Sequence, residues 1–280
     1  MATVEPGIAR HYEISGLEER ILAALAGAGV DVAHLRAGDL EAVDEFHIGG
    51  VAATRDLISQ LGLKPGARLL DIGSGIGGPA RFVANNAGVD VTGIDLTQSY
   101  VDIATSLSKR TGMADKTHFV QGSALDMPFA KAGFDAAMIL HVGMNLPDKA
   151  KLMSEAARVL KPGGVFAVYD VMRLKDDDLT YPLPWASNET ISFVATPDDY
   201  RSAAAAAGFS VTAERQRGAF AIEFFAAMRA RLAAAQAEGR KPSPGLSLVM
   251  GEDARTKMAN LIAALEGGIL APVELLLRLG

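Results

Sequence analysis

Apolar residues recur at helical spacing over residues 16–29 and 50–61, and in the first of these Leu17, Ile21, Leu22 and Leu25 share one face. From Arg68 onward the rhythm changes. Short apolar runs at Arg68–Ile72, Val89–Ile94, His118–Gln121, Phe134–Leu140 and Val165–Val171 read as strands. Between them lie stretches of helical period. Pro79 suits a first helical turn, where its missing N–H costs nothing, and Thr97 suits the cap of a helix running to about Arg110. Pro147 is expected to open a further helix on which Leu152, Ala156 and Leu160 share a face, with Gly163 and Gly164 ending it. Alternation of strand and helix predicts a doubly wound, mostly parallel sheet with right-handed crossovers.

After Val171 the alternation stops. Residues 173–195 form a long irregular segment with Tyr181, Pro182, Pro184 and Trp185, a length typical of lids and binding loops. Helix 197–207, strand 209–215 and helix 219–238 follow, then a Lys-Pro-Ser-Pro-Gly break at 241–245. A helix over about 252–266 leads to the apolar segment Ile269–Leu279, which reads as a closing strand.

Composition narrows the function. The 280 residues are 49% hydrophobic and 21% charged, which is ordinary for a globular chain. With net charge −6 and no basic run, no nucleic-acid partner is expected, because phosphate contacts supply most of that affinity. The chain has no cysteine, so disulfides, thiol nucleophiles and thiolate metal sites are excluded, and no metal site is expected. Met1–Tyr12 carries Glu5 and lacks an apolar core, so no signal peptide or membrane span is expected and the protein is placed in the cytoplasm. A homo-oligomer is compatible with all of this.

The most informative stretch is Asp71-Ile-Gly73-Ser-Gly75-Ile-Gly77-Gly78, between a strand and a helix. Gly73, Gly75 and Gly78 satisfy the G-x-G-x-x-G dinucleotide pattern. Gly73, Gly75 and Gly77 satisfy the G-x-G-x-G loop that binds S-adenosylmethionine (SAM). In both, glycine lets the backbone turn tightly beside a ligand, and the helix N-terminus offers free N–H groups to an anion. Asp71 separates the readings: its charge repels a pyrophosphate and suits the ammonium of SAM. Asp95 ends the second strand, where a carboxylate accepts ribose hydroxyls from either cofactor. The bland alternative is a tight turn with two solvated carboxylates.

Residues 66–170 resemble the core of class I SAM-dependent methyltransferases, through "LLDIGSGIGG", "VTGIDLT", "FVQGSALDMPF" and "FDAAMILHVGMNLPDKAKLMSEAARVLKPGGVFAVYD". "DEFHIGG" (44–50), "YPLPWA" (181–186) and "GLSLVMGED" (245–253) are similar to a small-molecule group related to sarcosine/dimethylglycine N-methyltransferases and quinone-biosynthesis C-methyltransferases. The resemblance implies an α/β, Rossmann-like methyltransferase fold. Its twisted, mostly parallel sheet would carry helices on both faces, an N-terminal helical lid and a C-terminal helical addition. It implies a lid over 1–62, a SAM-binding core over 63–172, a substrate loop over 173–195 and a C-terminal part completing the sheet over 196–280. It places Gly73, Gly75 and Gly77 against the methionine moiety, Asp95 at the ribose, Leu96 on adenine, and Ser123 and Ala124 at the adenine edge. Ser123 departs from the family, which often has Asp there to accept from the adenine amino group.

Methyl transfer from a sulfonium is an in-line displacement, so the protein mainly aligns donor and acceptor, and a base is needed only if the nucleophile carries a proton. His141 directly follows the fourth strand and faces the ligand crevice of such sheets. It is expected to contact substrate, support the cofactor or act as base, or else to be a histidine bonded to backbone. An ordinary pKa of about 6.5 suits any of these. His47 belongs by resemblance to the lid, or else caps a helix. Tyr12 is expected to line that lid, where its ring faces the sulfonium. Trp185 walls the substrate pocket or plugs the loop to the core. Asp170, ending the fifth strand, is expected to orient an amine or a water. Phe220, Phe224 and Phe225 share helical spacing and read as core or interface.

The expected activity is methyl transfer from SAM to a small-molecule acceptor, nitrogen slightly favoured over carbon or oxygen. The rivals are an NAD(P)-dependent oxidoreductase, disfavoured by Asp71 and by the lack of a Tyr-x-x-x-Lys pair, and a non-catalytic SAM-binding protein. A nucleic-acid methyltransferase is disfavoured by the acidic charge and by "HVGM" after the fourth strand, where amino-directed enzymes carry Asn/Asp-Pro-Pro-aromatic.

Overall fold

The computed structural model describes residues 4–12, 15–239, 245, 250–251 and 253–280, without the side chains of residues 9–11. The strands are β1 (Arg68–Ile72), β2 (Asp90–Asp95), β3 (Thr117–Gln121), β4 (Phe134–Leu140), β5 (Leu160–Arg173), β6 (Phe209–Gln216) and β7 (Leu270–Leu279). They form one sheet in the order β3-β2-β1-β4-β5-β7-β6. β1 to β5 are parallel, and β7 inserts antiparallel between β5 and β6. Strand order reverses between β1 and β4, so a ligand crevice lies at the carboxyl ends of these strands.

The sheet is buried on both faces, as its near-continuous apolar runs require. One face carries Leu70, Ile72, Ile139, Phe166 and Val168 under α7 (Lys149–Val159) and α8 (Pro197–Ala206). The other carries Leu69, Val91, Met138 and Tyr169 under α4 (Gly50–Ser59) and α5 (Gly78–Ala87). The amino-terminal helices α1 (Glu5–Tyr12) and α2 (Leu17–Gly27) and the short α3 (Glu41–Asp44) precede α4. Leu17, Ile21 and Leu25, the face expected from their spacing, pack on Tyr100, Ile103 and Leu107 of α6 (Gln98–Arg110). A separate apolar cluster joins Met144, Val171, Leu183 and Trp185 to α9 (Gly218–Ala237) and α10 (Ala254–Glu266).

Several expected boundaries move for local reasons. α7 starts at Lys149, after Pro147, because the Asp148 carboxylate accepts from Lys151 N at 2.8 Å and caps it. It ends at Val159, before Pro162 disfavours helix, so Gly163 and Gly164 belong to an irregular start of β5. The ladder there slips between Phe134 and Ala136. Thr97 precedes α6 without a side-chain cap bond; its N–H donates instead to Asp95 Oδ1 at 2.9 Å. Irregular structure over 173–195 is observed, with a single 3₁₀ turn at Glu189–Ile191. Of the 241–245 break only Gly245 falls within the described residues, and 246–249 and 252 of the "GLSLVMGED" segment fall outside them. Among the described residues no helix is long and apolar enough to cross a membrane.

Candidate active site

β1 delivers the chain into a turn in which Gly73, Gly75 and Gly77 take φ of 74°, 53° and 84°. These left-handed angles are readily open only to glycine. The three glycines serve different ends. A Cβ on Gly73 would run into the Val142 side chain, and one on Gly77 would come 2.6 Å from Phe119. Both are thus held by packing. On Gly75 the nearest atom would be Phe46 Cδ2 at 3.5 Å, so this glycine keeps open space before the turn. Gly75 N donates to Asp95 Oδ2 at 2.8 Å, tying the ends of β1 and β2 together.

Gly73, Gly75, Asp95, Leu96, Ser123, Ala124, His141, Tyr12, His47 and Trp185 all line one cavity at the crevice. The structure thus gathers ten of the expected positions. Asp71, Gly77 and Asp170 stand back from it.

Asp71 is buried beneath the turn, with Oδ2 lacking any hydrogen-bond partner. Burial, then the nearby Asp95 charge, pushes its carboxyl up to about 8. Such an orphaned acid behind a glycine turn fits a cationic ligand group, which would restore its charge.

Asp170 is a correction. Its Oδ2 accepts from the Tyr200 hydroxyl of α8, and burial pushes its pKa up to about 6. Strand side chains alternate between faces. Tyr169 packs against His141 and Val171 lines the cavity, so Asp170 between them points to the α7–α8 side. Its carboxylate is engaged with Tyr200 and does not line the cavity.

His141 takes φ 53°, unusual for a side-chain-bearing residue and common where geometry serves a site. Its backbone N and its Nδ1 both donate to the Tyr169 carbonyl, at 2.7 and 3.2 Å. With Nδ1 assigned as donor, Nε2 bears the lone pair, and that atom is buried without a partner. The ring stacks edge-on to Tyr169 at 4.7 Å. Burial, with His47 nearby, holds its pKa well below the ordinary value, so the expected titration near 6.5 is overturned and the ring is neutral.

His47 is not a helix cap: it is buried, with Nε2 3.1 Å from Gly50 O and 3.0 Å from Thr54 Oγ1. Burial lowers its pKa to about 4. Nearby, the buried Asp44 carboxylate pairs with Arg81 at 2.8 Å, and Tyr169 OH donates to Ile48 O at 2.9 Å. The "DEFHIGG" segment is thereby fastened to the sheet.

Tyr12 OH donates to Asn145 Oδ1 at 2.9 Å, and Asn145 Nδ2 donates to Trp185 O at 2.9 Å. One buried amide therefore links α1, the turn after β4 and the 173–195 segment. Trp185, 2% exposed, also donates Nε1–H to Ser192 Oγ at 3.0 Å, so the cavity wall and the loop fastening are the same residue. Phe224 and Phe225 line the cavity, whereas Phe220 packs under Arg217.

Sequence reasoning missed Glu5, Tyr100, Asn145, Met258 and Leu261, all of which line the cavity. Tyr100 OH is buried without a partner there. No motif marks these positions, because they converge from separate elements. Among the described residues no cluster of three or more potential ligands could hold a metal ion.

Comparison with known proteins shows what part of the chain is similar to. Residues 70–168 match the family described as Methyltransferase domain. Sterol 24-C-methyltransferase ERG6B of Gibberella zeae is 40% identical over 114 residues, covering 41% of this chain and 30% of that protein. The chain thus spans about a third of the length of the first curated relatives it matches. A sarcosine dimethylglycine methyltransferase candidate from Galdieria sulphuraria superposes with TM-score 0.65 at 25% identity, over 81% of this chain and 84% of that one. Geranyl diphosphate C-methyltransferase from Streptomyces coelicolor A3(2) superposes with TM-score 0.70 at 19% identity over 99% and 98%, which supports the fold.

Proposed function

We propose that this chain, which carries a class I SAM-dependent methyltransferase domain, transfers a methyl group from SAM to a small-molecule acceptor. The observation that carries this reading is a single cavity walled at one end by the Gly73–Gly75 turn and Asp95, and at the other by apolar side chains around the lone pair of His141 Nε2. In this reading residues 1–62 close over the site, 63–172 hold the cofactor, 173–195 and 196–280 shape the acceptor end.

The residues fit the cofactor. The Gly75 side of the turn leaves room for the methionine moiety, and the Asp71 carboxyl beneath the turn would place a negative charge behind its ammonium without touching it. Asp95 would accept ribose hydroxyls in addition to its two backbone N–H bonds, while Leu96, Ser123 and Ala124 would border adenine. When bound, SAM supplies an activated methyl group. Tyr12 would face the sulfonium, and burial keeps its phenol neutral.

His141 is the acceptor-side residue. Its ring is oriented by the Nδ1 bond to Tyr169 O; the buried Nε2 would accept a hydrogen bond from the nucleophile, and so align it, once the ligand displaces the side chains that cover it. An amine N–H or a hydroxyl provides that hydrogen, and nitrogen is the acceptor atom favoured here because an unprotonated amine attacks without a base. His141→Phe should raise the acceptor KM about tenfold with a smaller change in kcat. A kcat loss of 10²–10⁴-fold at unchanged KM would make the histidine a general base instead.

The deciding assay measures S-adenosylhomocysteine (SAH) released from SAM across small amines, phenols and quinols. Release dependent on an added acceptor is expected. Binding of SAM without release for any acceptor would favour a non-catalytic SAM-binding protein, and thermal stabilisation by NAD(P) but not SAM would favour the oxidoreductase.

A further inference from the structure

We infer that the acceptor is an uncharged, largely apolar molecule bearing a single hydrogen-bond donor at the reacting end. This rests on the methyltransferase reading and names its substrate class. The cavity wall includes Met144, Val171, Trp185, Phe224, Phe225 and Leu261. These belong to an apolar cluster distinct from the two sheet faces, built where the 173–195 segment meets α9 and α10. The polar atoms of Trp185 and Asn145 are already satisfied by Ser192, Trp185 O and Tyr12. Among the described residues no Lys or Arg lines the cavity, so none of them offers a phosphate or carboxylate a counter-charge. The acids that line it, Glu5 and Asp95, are engaged at Ser123 and at the glycine turn. A small zwitterionic amine would lose its hydration at the apolar end for nothing in return. An alkyl or aryl body gains from every buried methylene, and Nε2 takes its one donor hydrogen.

The test is binding, by calorimetry, of 4-alkylphenols and 4-alkylanilines of increasing chain length to the SAH-loaded protein, with sarcosine and phenyl phosphate as charged probes. Affinity should rise about fourfold per added methylene, the ratio set by ~0.8 kcal/mol per CH₂, until the cavity is full. Phe225→Ser should flatten that rise while leaving SAH affinity unchanged. Tighter binding of either charged probe, or affinity independent of chain length, overturns the inference. Failure of SAH itself to bind would instead overturn the methyltransferase reading.

A second observation stands on different residues. Outward from the switch point, the strand ends carry the glycine turn on β1, Asp95 on β2 and Ser123 after β3. With the ribose at Asp95, the base extends toward Ser123. There the Ser123 hydroxyl donates to Glu5 of α1, and its oxygen accepts from Leu125 N at 3.1 Å. The geometry points to Glu5 as the carboxylate that accepts from the adenine amino group, supplied by the amino-terminal helix in place of a core residue. Cofactor binding is then coupled to the seating of that helix.

Calorimetry with SAH and with S-inosylhomocysteine, whose carbonyl replaces the amino group, tests this. The protein should prefer SAH by at least tenfold, and Glu5→Ala should reduce that preference to within threefold. Ser123→Ala, which releases the Glu5 carboxylate from its anchor, should lower it in part. An unchanged preference in Glu5→Ala overturns the assignment.

Discussion

The two ends of the cavity are built on opposite principles. The end proposed for the cofactor is made of residues at three neighbouring strand ends, held by main-chain N–H groups: those of Gly75 and Thr97 donate to the Asp95 carboxylate, and that of Gly73 to Ile94 O. The acceptor end is assembled from α1, the turn after β4, the 173–195 segment, α9 and α10, joined by side chains around Asn145 and Trp185. Recognition of an invariant ligand suits main-chain N–H groups gathered by one carboxylate, a scaffold that few substitutions other than at Asp95 and the glycines can alter. Recognition of a variable acceptor suits side chains on separate elements, where changes leave the sheet intact.

The sharpest way to break that contrast is Gly75→Val. Since Phe46 is the nearest atom to a new Cβ, the cost to the free protein is about 1–2 kcal/mol from the left-handed backbone, yet SAM binding should disappear. Calorimetry paired with thermal unfolding checks both, and normal SAM binding by a folded variant would reduce the loop to a turn. Asp95→Ala is expected to weaken SAM by about 10–100-fold, corresponding to about 1.5–3 kcal/mol for a charged hydrogen-bond acceptor. Part of that loss comes from freeing Gly75 N, so unchanged affinity would remove Asp95 from the ribose.

Asn145→Ala should act at the other end. Removing the amide that joins Tyr12 OH to Trp185 O should cost about 1–3 kcal/mol of stability and raise the acceptor KM five- to tenfold, with SAM affinity within threefold of normal. Equal losses for both ligands would mean that the two ends are one unit.

A pH-dependent effect concerns Asp71 in the ligand-free protein. Its folded pKa of about 8 lies above the ordinary 3.9, so between those values the folded state holds the extra proton. Stability contributed by this group is fully present at low pH and is lost as pH rises through about 8. The depressed pKa values of His47 and His141 act oppositely, lowering stability as pH falls below about 6.5. Asp71→Asn should therefore flatten the fall in Tm between pH 5 and 8 relative to the unmodified chain. Parallel Tm profiles would place Asp71 in water.

Much of the sheet was legible because parallel strands buried on both faces are written as short apolar runs, and β1 and β4 fall where those runs do. The glycine turn was legible because the conformations it needs exclude other residues. The start of α7 was less so: Pro147 and Asp148 are both plausible openers, and only the bond to Lys151 N selects Asp148. Asp170 was misplaced because a strand end offers two faces and the pattern around it, Val168 to Met172, is apolar throughout. Phe224 and Phe225 share their helical spacing with any packed helix, and nothing local shows that the neighbour is a cavity.

What the sequence determined by itself is the class of fold and the glycine turn with its strand-end carboxylates, since both rest on interactions among residues close in the chain or on backbone angles that residue type controls. The tertiary structure alone decided the apolar wall of the cavity and the state of His141. An imidazole's pKa follows from how much water surrounds it, and a wall made by five distant elements exists only once long-range packing has brought them together.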